Sequence, residues 1–350
     1  MSLVAASCRP GLWTGSVDYR LPDELIAQHP AAERSQSRLM VVDRASGSIH
    51  HERFGDIGSH LAPGDRLVLN DTKVVRARLH GHRASGGHVE ALVLALDERP
   101  SPVMYRSSKT LQDREIIYFD DGYSAIVRGP VVGGRARLDF GMDDLSSVLA
   151  AIGEVPLPPY IHRDGAPSSE DNERYQTVYA SRDGSVAAPT AGLHFTAELL
   201  DALEARGVGA SRLTLHVGPG TFTPIRDTMA NHRMEAEYCE VSPVLVAAAA
   251  RARACGGRVV AVGTTCVRAL ETAALGGALR PFAGPTNLFL RPGHRLLAVD
   301  ALVTNLHLPG STLLCLVMAF AGEALTRRAY EIAVEERYRF YSFGDAMLII

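Results

Sequence analysis

RVVAVGTTCVRALETAA, residues 258–274, is the stretch on which the fold turns. Residues 258–262 form a short, β-branched apolar run of strand length, and from about residue 265 to residue 274 the pattern becomes helical. Gly263, Thr264 and Thr265 end the strand and open the helix, which carries Arg268 and Glu271. Strands alternating with helices in this way argue an α/β domain.

The same texture continues on both sides. Thr196 makes an N-cap for a helix whose Leu199, Leu200 and Leu203 share a face, and Gly207 is its stop. A strand over residues 212–217 and an alanine-rich helix after Pro243 follow. Beyond residue 274 the pattern predicts a strand over 287–290, a buried helix opening at Ser311, a helix over 325–338 and a closing strand over 346–350.

Toward the N-terminus the texture changes. Residues 39–43 and 48–54 read as a hairpin around Arg-Ala-Ser-Gly. Residues 66–70, 76–83, 88–96, 115–119, 123–127 and 136–140 are short candidate strands broken by Gly, Pro and Asp clusters, with no amphipathic helix between them. Residues 144–152 look helical, and Pro156-Leu-Pro-Pro is a rigid break. Residues 59–149 are therefore predicted to be a small all-β domain of barrel type. It is inserted into an α/β main domain made of residues 16–58 and 150–350, with residues 1–15 a short disordered extension. The hairpin has no core of its own and is expected to pack with the C-terminal part.

At 350 residues, 46% hydrophobic and 21% charged, the composition excludes disorder, collagen and coiled coil. The longest apolar run, residues 313–321, is far below the roughly 18 residues of a membrane span. No signal-peptide core is apparent, and five cysteines without a C-x-x-C pair fit neither a disulfide framework nor a zinc knuckle, so a reducing cytoplasm is expected. The net charge of −3 does not advertise nucleic-acid binding, so such a partner has to be held by a local patch. All basic residues except Lys73 and Lys109 are Arg, which suits bidentate phosphate or carboxylate contacts, although a GC-rich coding sequence gives the same excess.

Several groups of residues are candidates for chemistry. His216-Val-Gly218-Pro-Gly220-Thr221 begins like a dinucleotide fingerprint but lacks the third glycine, and Pro224 stands where a helix would run. What remains is a close approach of backbone to a ligand, flanked by His216 and Thr221, or a plain tight turn. Free N–H groups at the Gly263 turn, with the Thr264 and Thr265 hydroxyls, suit a carboxylate or phosphate, and Arg268 is placed to add a bidentate contact. The structural alternative is a capped helix with Arg268 and Glu271 as an exposed i,i+3 pair. His232-x-x-Glu235 has a metal-ligand spacing, but the run from Glu237 alternates like a strand and no second histidine-rich segment completes a site, so no metal is expected. Proton transfer fits His232, Glu235 and Glu237 better, as it does Asn305 with His307. The small-residue segment from Ser185 to His194 reads as a pocket wall or as close packing. In the β unit, a period of two puts Arg76, Arg78, His80 and His82 on one cationic strand face.

In this order these segments resemble the S-adenosylmethionine:tRNA ribosyltransferase-isomerase (QueA) family. The matching runs include Leu21-Pro-Asp-Glu-Leu, Arg34 with Ser37-Arg-Leu, Leu69-Asn-Asp-Thr-Lys73, Pro156-Leu-Pro-Pro-Tyr, Arg174-Tyr-Gln-Thr-Val-Tyr, Val186 to Phe195, Leu213-Thr-Leu-His with Gly220-Thr-Phe, Val262-Gly-Thr-Thr with Arg268, Thr304-Asn with His307, and Tyr338-Arg-Phe. The resemblance implies a barrel-like α/β domain carrying an inserted β-barrel. It also implies a reaction: the ribosyl part of S-adenosylmethionine is transferred to preQ1 at the tRNA wobble position and isomerised, giving epoxyqueuosine with release of adenine and methionine. S-adenosylmethionine is then a consumed donor rather than a cofactor, preQ1-containing tRNA is the partner, and a monomer without membrane contact is expected. The catalytic candidates are His232, Glu235, Glu237, His216 and His307. Donor contacts are expected at Gly218, Gly220, Thr221, Thr264, Thr265, Arg268, Asn305 and His194, and tRNA contacts at Lys73, Arg76 and Arg78. Glu235 stands where the family has a second His, which puts two carboxylates around His232, and the run after Lys109 lacks the family's Pro-Lys-Pro-Gly. A homologue with altered substrate, or a tRNA-binding module without catalysis, is the alternative.

Overall fold

The computed structural model describes residues 17–222, 224–225 and 228–350; the extension expected over 1–15 lies outside them. The hairpin forms as β1 (Arg38–Val42) and β2 (Ile49–Arg53), paired antiparallel. Next come β3 (Arg66–Asn70) and the short β4 (Thr72–Val74). Six strands then follow: β5 (Arg78–Arg83), β6 (His88–Val93), β7 (Ser101–Ser107), β8 (Ile116–Phe119), β9 (Ser124–Val127) and β10 (Arg135–Asp139). They close into an antiparallel barrel in the order β10-β7-β6-β5-β8-β9. Its interior is filled by the inward half of each alternation, Leu79, Val89, Ala91, Val103, Ile117 and Val127 among them. α1 (Leu145–Ile152), capped by the Asp144 carboxylate on Ser147 N–H, packs Val148 and Leu149 against this core.

The second half alternates as the sequence predicts. α2 (Ser169–Arg174), β11 (Arg182–Ser185), α3 (Ala197–Ala205), β12 (Gly209–Leu215), β13 (Glu237–Val241) and α4 (Pro243–Ala254) lead to β14 (Val259–Val262) and α5 (Thr264–Ala273). β15 (Phe282–Thr286), β16 (Ala301–Asn305), α6 (Thr312–Ala321), α7 (Glu323–Glu335) and β17 (Ala346–Ile349) complete the chain. Thr196, Ser242 and Ser311 each accept a hydrogen bond from the third residue of the helix they precede, which starts α3, α4 and α6.

Nine strands form one mixed sheet in the order β15-β13-β12-β3-β14-β16-β17-β1-β2, with β11 and β4 paired beside it. The α/β reading and the inserted barrel are both found; the large sheet ends at β15 and β2 without closing on itself. The hairpin joins the C-terminal part through β1, which pairs parallel with β17.

Two expectations need correction. The strand over residues 66–70 belongs to the large sheet, between β12 and β14, and not to the β unit. Its four buried positions in a row mark a strand covered on both faces, which is what a parallel central strand is. The strand expected over 287–290 is irregular; β15 lies one segment earlier, where Gly284 and Pro285 disguise it, and at the sheet edge both are tolerated.

Candidate active site at the carboxyl edge of the parallel strands

β12, β3, β14 and β16 run parallel to one another. Their carboxyl ends are Leu215, Asn70, Val262 and Asn305, so the residues that follow them emerge along one edge. That edge is where open parallel sheets bind ligands, because chain turns and helix starts converge there. Onto it come His216 to Thr221, Asp71 to Lys73, Gly263 to Thr265 and, after Asn305, His307. Asn70 fastens two of the ends together: its Nδ2 donates to Leu215 O at 2.9 Å and its Oδ1 accepts from Leu215 N–H at 3.0 Å.

The small-residue segment runs along this edge. Ser185 Oγ accepts from Val217 N–H at 2.8 Å, and Val186 N–H donates to Val217 O. Gly184 lies against the His216 ring, where a Cβ would meet ring atoms at 2.9 to 3.0 Å. Farther on, Gly192 leaves room for Tyr179, whose hydroxyl would stand 2.0 Å from a Cβ there. Glycine is needed at both points for close approach.

Among the described residues His216 is anchored at one nitrogen. Nδ1 and Thr72 Oγ1 share a hydrogen bond of 2.8 Å, and the ring stacks on Tyr238. Burial, then the positive charge of Arg182, hold its pKa below the ordinary histidine value. In the tautomer whose Nδ1–H donates to Thr72, Nε2 carries a lone pair in a half-buried position, the state a general base needs.

Glu237 and Arg268 form a buried ion pair. Glu237 Oε1 accepts from Gly218 N–H at 2.8 Å and from Thr221 Oγ1 at 3.0 Å. Arg268 also donates from Nε to Leu288 O at 3.1 Å. The exposed Arg268–Glu271 pair is not formed: Glu271 is buried and accepts from the N–H groups of Leu297 and Ala298. Arg268 therefore holds the Gly218 to Thr221 turn through Glu237, with Gly220 of that turn beside Glu235.

The other candidates separate. His232 lies outside any helix and meets Phe289 edge to face, with its pKa lowered by burial. Glu235 is half exposed and pairs with Arg135 of the barrel at 2.5 Å. Among the described residues no hydrogen bond or ion pair joins His232 to Glu235 or Glu237, so two carboxylates do not flank one imidazole. Residues 232–236 are irregular, and the sequence spacing sets no common face. His307 is enclosed, shares a hydrogen bond with Thr304 Oγ1 at 2.7 Å, and is pushed down to about 3 by burial. His194 is likewise buried and pushed down to about 4, chiefly by desolvation, between Ser37 Oγ at 2.7 Å and Asn305 Nδ2 at 3.1 Å.

The alternation holds from Arg78 onward; Arg76 precedes β5 in irregular backbone, exposed and donating to Ala150 O, and the strand face itself is not a free cationic patch. Arg78 faces Glu90 at 3.5 Å and donates to Leu157 O, and His80 lies 3.2 Å from Glu154. Lys73, at the edge itself, pairs with Asp183 at 3.2 Å and is half exposed. Thr72, Thr177 and Tyr179 lie in the matched runs, but no local sequence pattern marks them. Their signal is geometric. Among the described residues Tyr179 Oη, Thr177 Oγ1, Thr265 Oγ1 and Asn305 Oδ1 are buried polar atoms without a hydrogen-bond partner, along or beside the same edge. Their free hydrogen-bonding capacity adds polar groups to this edge.

Comparison with known proteins bears on the whole chain. The family described as "Queuosine biosynthesis protein" matches residues 14–349. A relative from Symbiobacterium thermophilum named S-adenosylmethionine:tRNA ribosyltransferase-isomerase is 52% identical over 95% of this chain and 98% of its own. One of the same name from Acidithiobacillus ferrooxidans is 53% identical over 95% and 96%. The crystal structure of S-adenosylmethionine tRNA ribosyltransferase from Thermotoga maritima, 35% identical, superposes with a TM-score of 0.55 over 95% of this chain and 99% of that one. The chain belongs to the queuosine biosynthesis protein family.

Proposed function

We propose that this chain is an S-adenosylmethionine:tRNA ribosyltransferase-isomerase acting in the cytoplasm. It moves the ribosyl part of S-adenosylmethionine onto the aminomethyl group of preQ1 at the tRNA wobble position and isomerises it to epoxyqueuosine, releasing adenine and methionine. The observation that carries this reading is the match to enzymes of that name over 95% of the chain. The convergence of the matched runs on one sheet edge supports it.

The chemistry requires removal of a proton beside the sulfonium, help for departing adenine and a grip on the methionine carboxylate. His216 is the proposed base: neutral at physiological pH, held in orientation by Thr72, with Nε2 directed away from that anchor. The carboxylate is assigned to the Gly263 turn, where N–H groups at the start of α5 and the unpartnered Thr265 Oγ1 supply donors and the helix dipole favours negative charge. Arg268 is a positioning residue in this scheme, since Glu237 already occupies its guanidinium. Incubation with S-adenosylmethionine and preQ1-containing tRNA tests the reading: adenine is released only when that RNA is present. Methylated RNA with S-adenosylhomocysteine as the product refutes it.

A further inference from the structure

A narrow cleft, about 260 Å³ with its solvent-filled mouth included, opens beside the end of the small-residue segment, lined by Arg34, Ser37, Arg174, His194, Phe343 and Gly344 among others. Two guanidinium groups in one cleft repel each other. Arg34 registers this, its pKa lowered by burial and then by the charge of Arg174, with Glu173 partly offsetting both. Among the described residues the nearest carboxylate to Arg174 is Glu170, at 3.9 Å and with its side chain 69% exposed, and no carboxylate is hydrogen-bonded to either guanidinium. Arg163 and Arg268, by contrast, each have a carboxylate partner, Asp171 and Glu237, while Arg44, like this pair, is held by main-chain carbonyls.

Both guanidiniums are fixed in place by main-chain carbonyls. Arg34 donates to Leu193 O at 3.0 Å and to Glu173 O at 3.1 Å; Arg174 donates to Ala31 O at 2.7 Å and to Ala32 O at 3.2 Å. A guanidinium has five N–H donors, so each keeps three, and Arg174 Nε is buried without a partner. The cleft is also tied to the parallel-strand edge. Asn305 Nδ2 donates to Tyr341 O, which fixes its amide, and to His194 Nε2; His194 Nδ1–H then donates to Ser37 Oγ, and Ser37 donates to Arg34 O. The chain of bonds runs in one direction from the end of β16 to the backbone of Arg34.

We propose that Arg34 and Arg174 form a preorganised subsite for one phosphodiester of the RNA substrate, placed next to the edge where the donor reacts. The proposal rests on the reading of this chain as a tRNA-modifying enzyme. Paired guanidiniums with open N–H forks match phosphate oxygens, and a cleft open to solvent admits a group that belongs to a long polymer. One bound phosphate adds to the partial offset that Glu170 and Glu173 provide.

The test measures binding rather than turnover. Arg174→Gln is expected to weaken binding of an unmodified tRNA transcript about tenfold and to reduce the log–log salt slope by about 0.7 to 0.9, the effect of one lost phosphate contact. Binding of S-adenosylmethionine, followed by calorimetry without RNA, stays within about twofold. Loss of donor binding with an unchanged RNA salt slope overturns the proposal, because the occupant is then the donor carboxylate. Unchanged affinity for both in a folded variant overturns it too. If Arg174→Gln does not fold, the wild-type chain with labelled arginine side chains is titrated with a short RNA oligonucleotide: Nε–H signals of Arg34 and Arg174 shift if the proposal holds, and remain still if it fails. A chain that binds RNA at this subsite but performs another reaction would pass this test and fail the adenine-release test.

Discussion

Arg268 in α5 and Glu237 at the start of β13 pair with each other in the interior, each side chain 4% exposed, and through Glu237 the pair holds both Gly218 N–H and Thr221 Oγ1. A buried pair of this kind is sensitive to removal of one partner, because the other charge is left without solvent or counter-ion. Glu237→Ala is expected to lower unfolding stability by about 3 to 5 kcal/mol. Urea unfolding checks this; a loss below about 1 kcal/mol means the pair is solvated in solution.

His216 is the residue on which proton transfer depends in this account. His216→Asn, which keeps polarity but not basicity, is expected to cut turnover by about 10² or more with donor affinity little changed. The wild-type pH profile carries the same information. Burial lowers the His216 pKa, so the active neutral form persists below the ordinary histidine value and activity falls only as pH drops through the lowered pKa. An acid limb centred above about 6.5 contradicts the assignment.

Glu235 is expected to be replaceable. It is half exposed and bound to Arg135, and exposed pairs contribute about 0.2 to 1 kcal/mol. Glu235→Gln should keep turnover within about threefold of wild type, the small effect that follows when a solvated pair and not a proton-transfer group is altered. A loss of about 10² measured at saturating substrates would restore it to the catalytic group.

Stability should fall on mild acidification. His194 and His307 are held neutral by burial, pushed down to about 4 and about 3, whereas in the unfolded chain each titrates near 6.5. Below that value the unfolded state binds more protons than the folded one, so stability is full above about 6.5 and is lost as pH falls toward the folded values. The slope is about 1.4 kcal/mol per pH unit for each histidine. Replacing His194 by Gln should remove its share between pH 6 and 5, as followed by denaturant midpoints; an unaltered slope in His194→Gln means that the site is hydrated.

Local features of the chain were readable and non-local ones were not. The β14–α5 junction could be read from residues 258–274 because strand, glycine and helix start are contiguous. β5 was readable too: its alternation of Leu79 and Gly81 with His80 and His82 survives in the barrel wall. β16 escapes a local reading because its apolar run stops after Ala301-Leu-Val, short of strand length, at Thr304 and Asn305, and β7 because Pro102 and polar residues interrupt its pattern. The sheet to which residues 66–70 belong could not be read locally, since their partners are residues 209–213 and 259–261. The same distance effect governs the site. His232, Glu235 and Glu237 are close in sequence but take Phe289, Arg135 and Arg268 as partners, while Glu237 reaches a cation 31 residues away.

Supplying S-adenosylmethionine labelled with ¹³C either in the ribose or in the methyl group, with preQ1-containing tRNA, and analysing the digested RNA by mass spectrometry tests the account most directly. The account predicts that the ribose label enters the modified nucleoside while the methyl label leaves in free methionine. Methyl label in the RNA, or ribose label retained in S-adenosylhomocysteine, would contradict it.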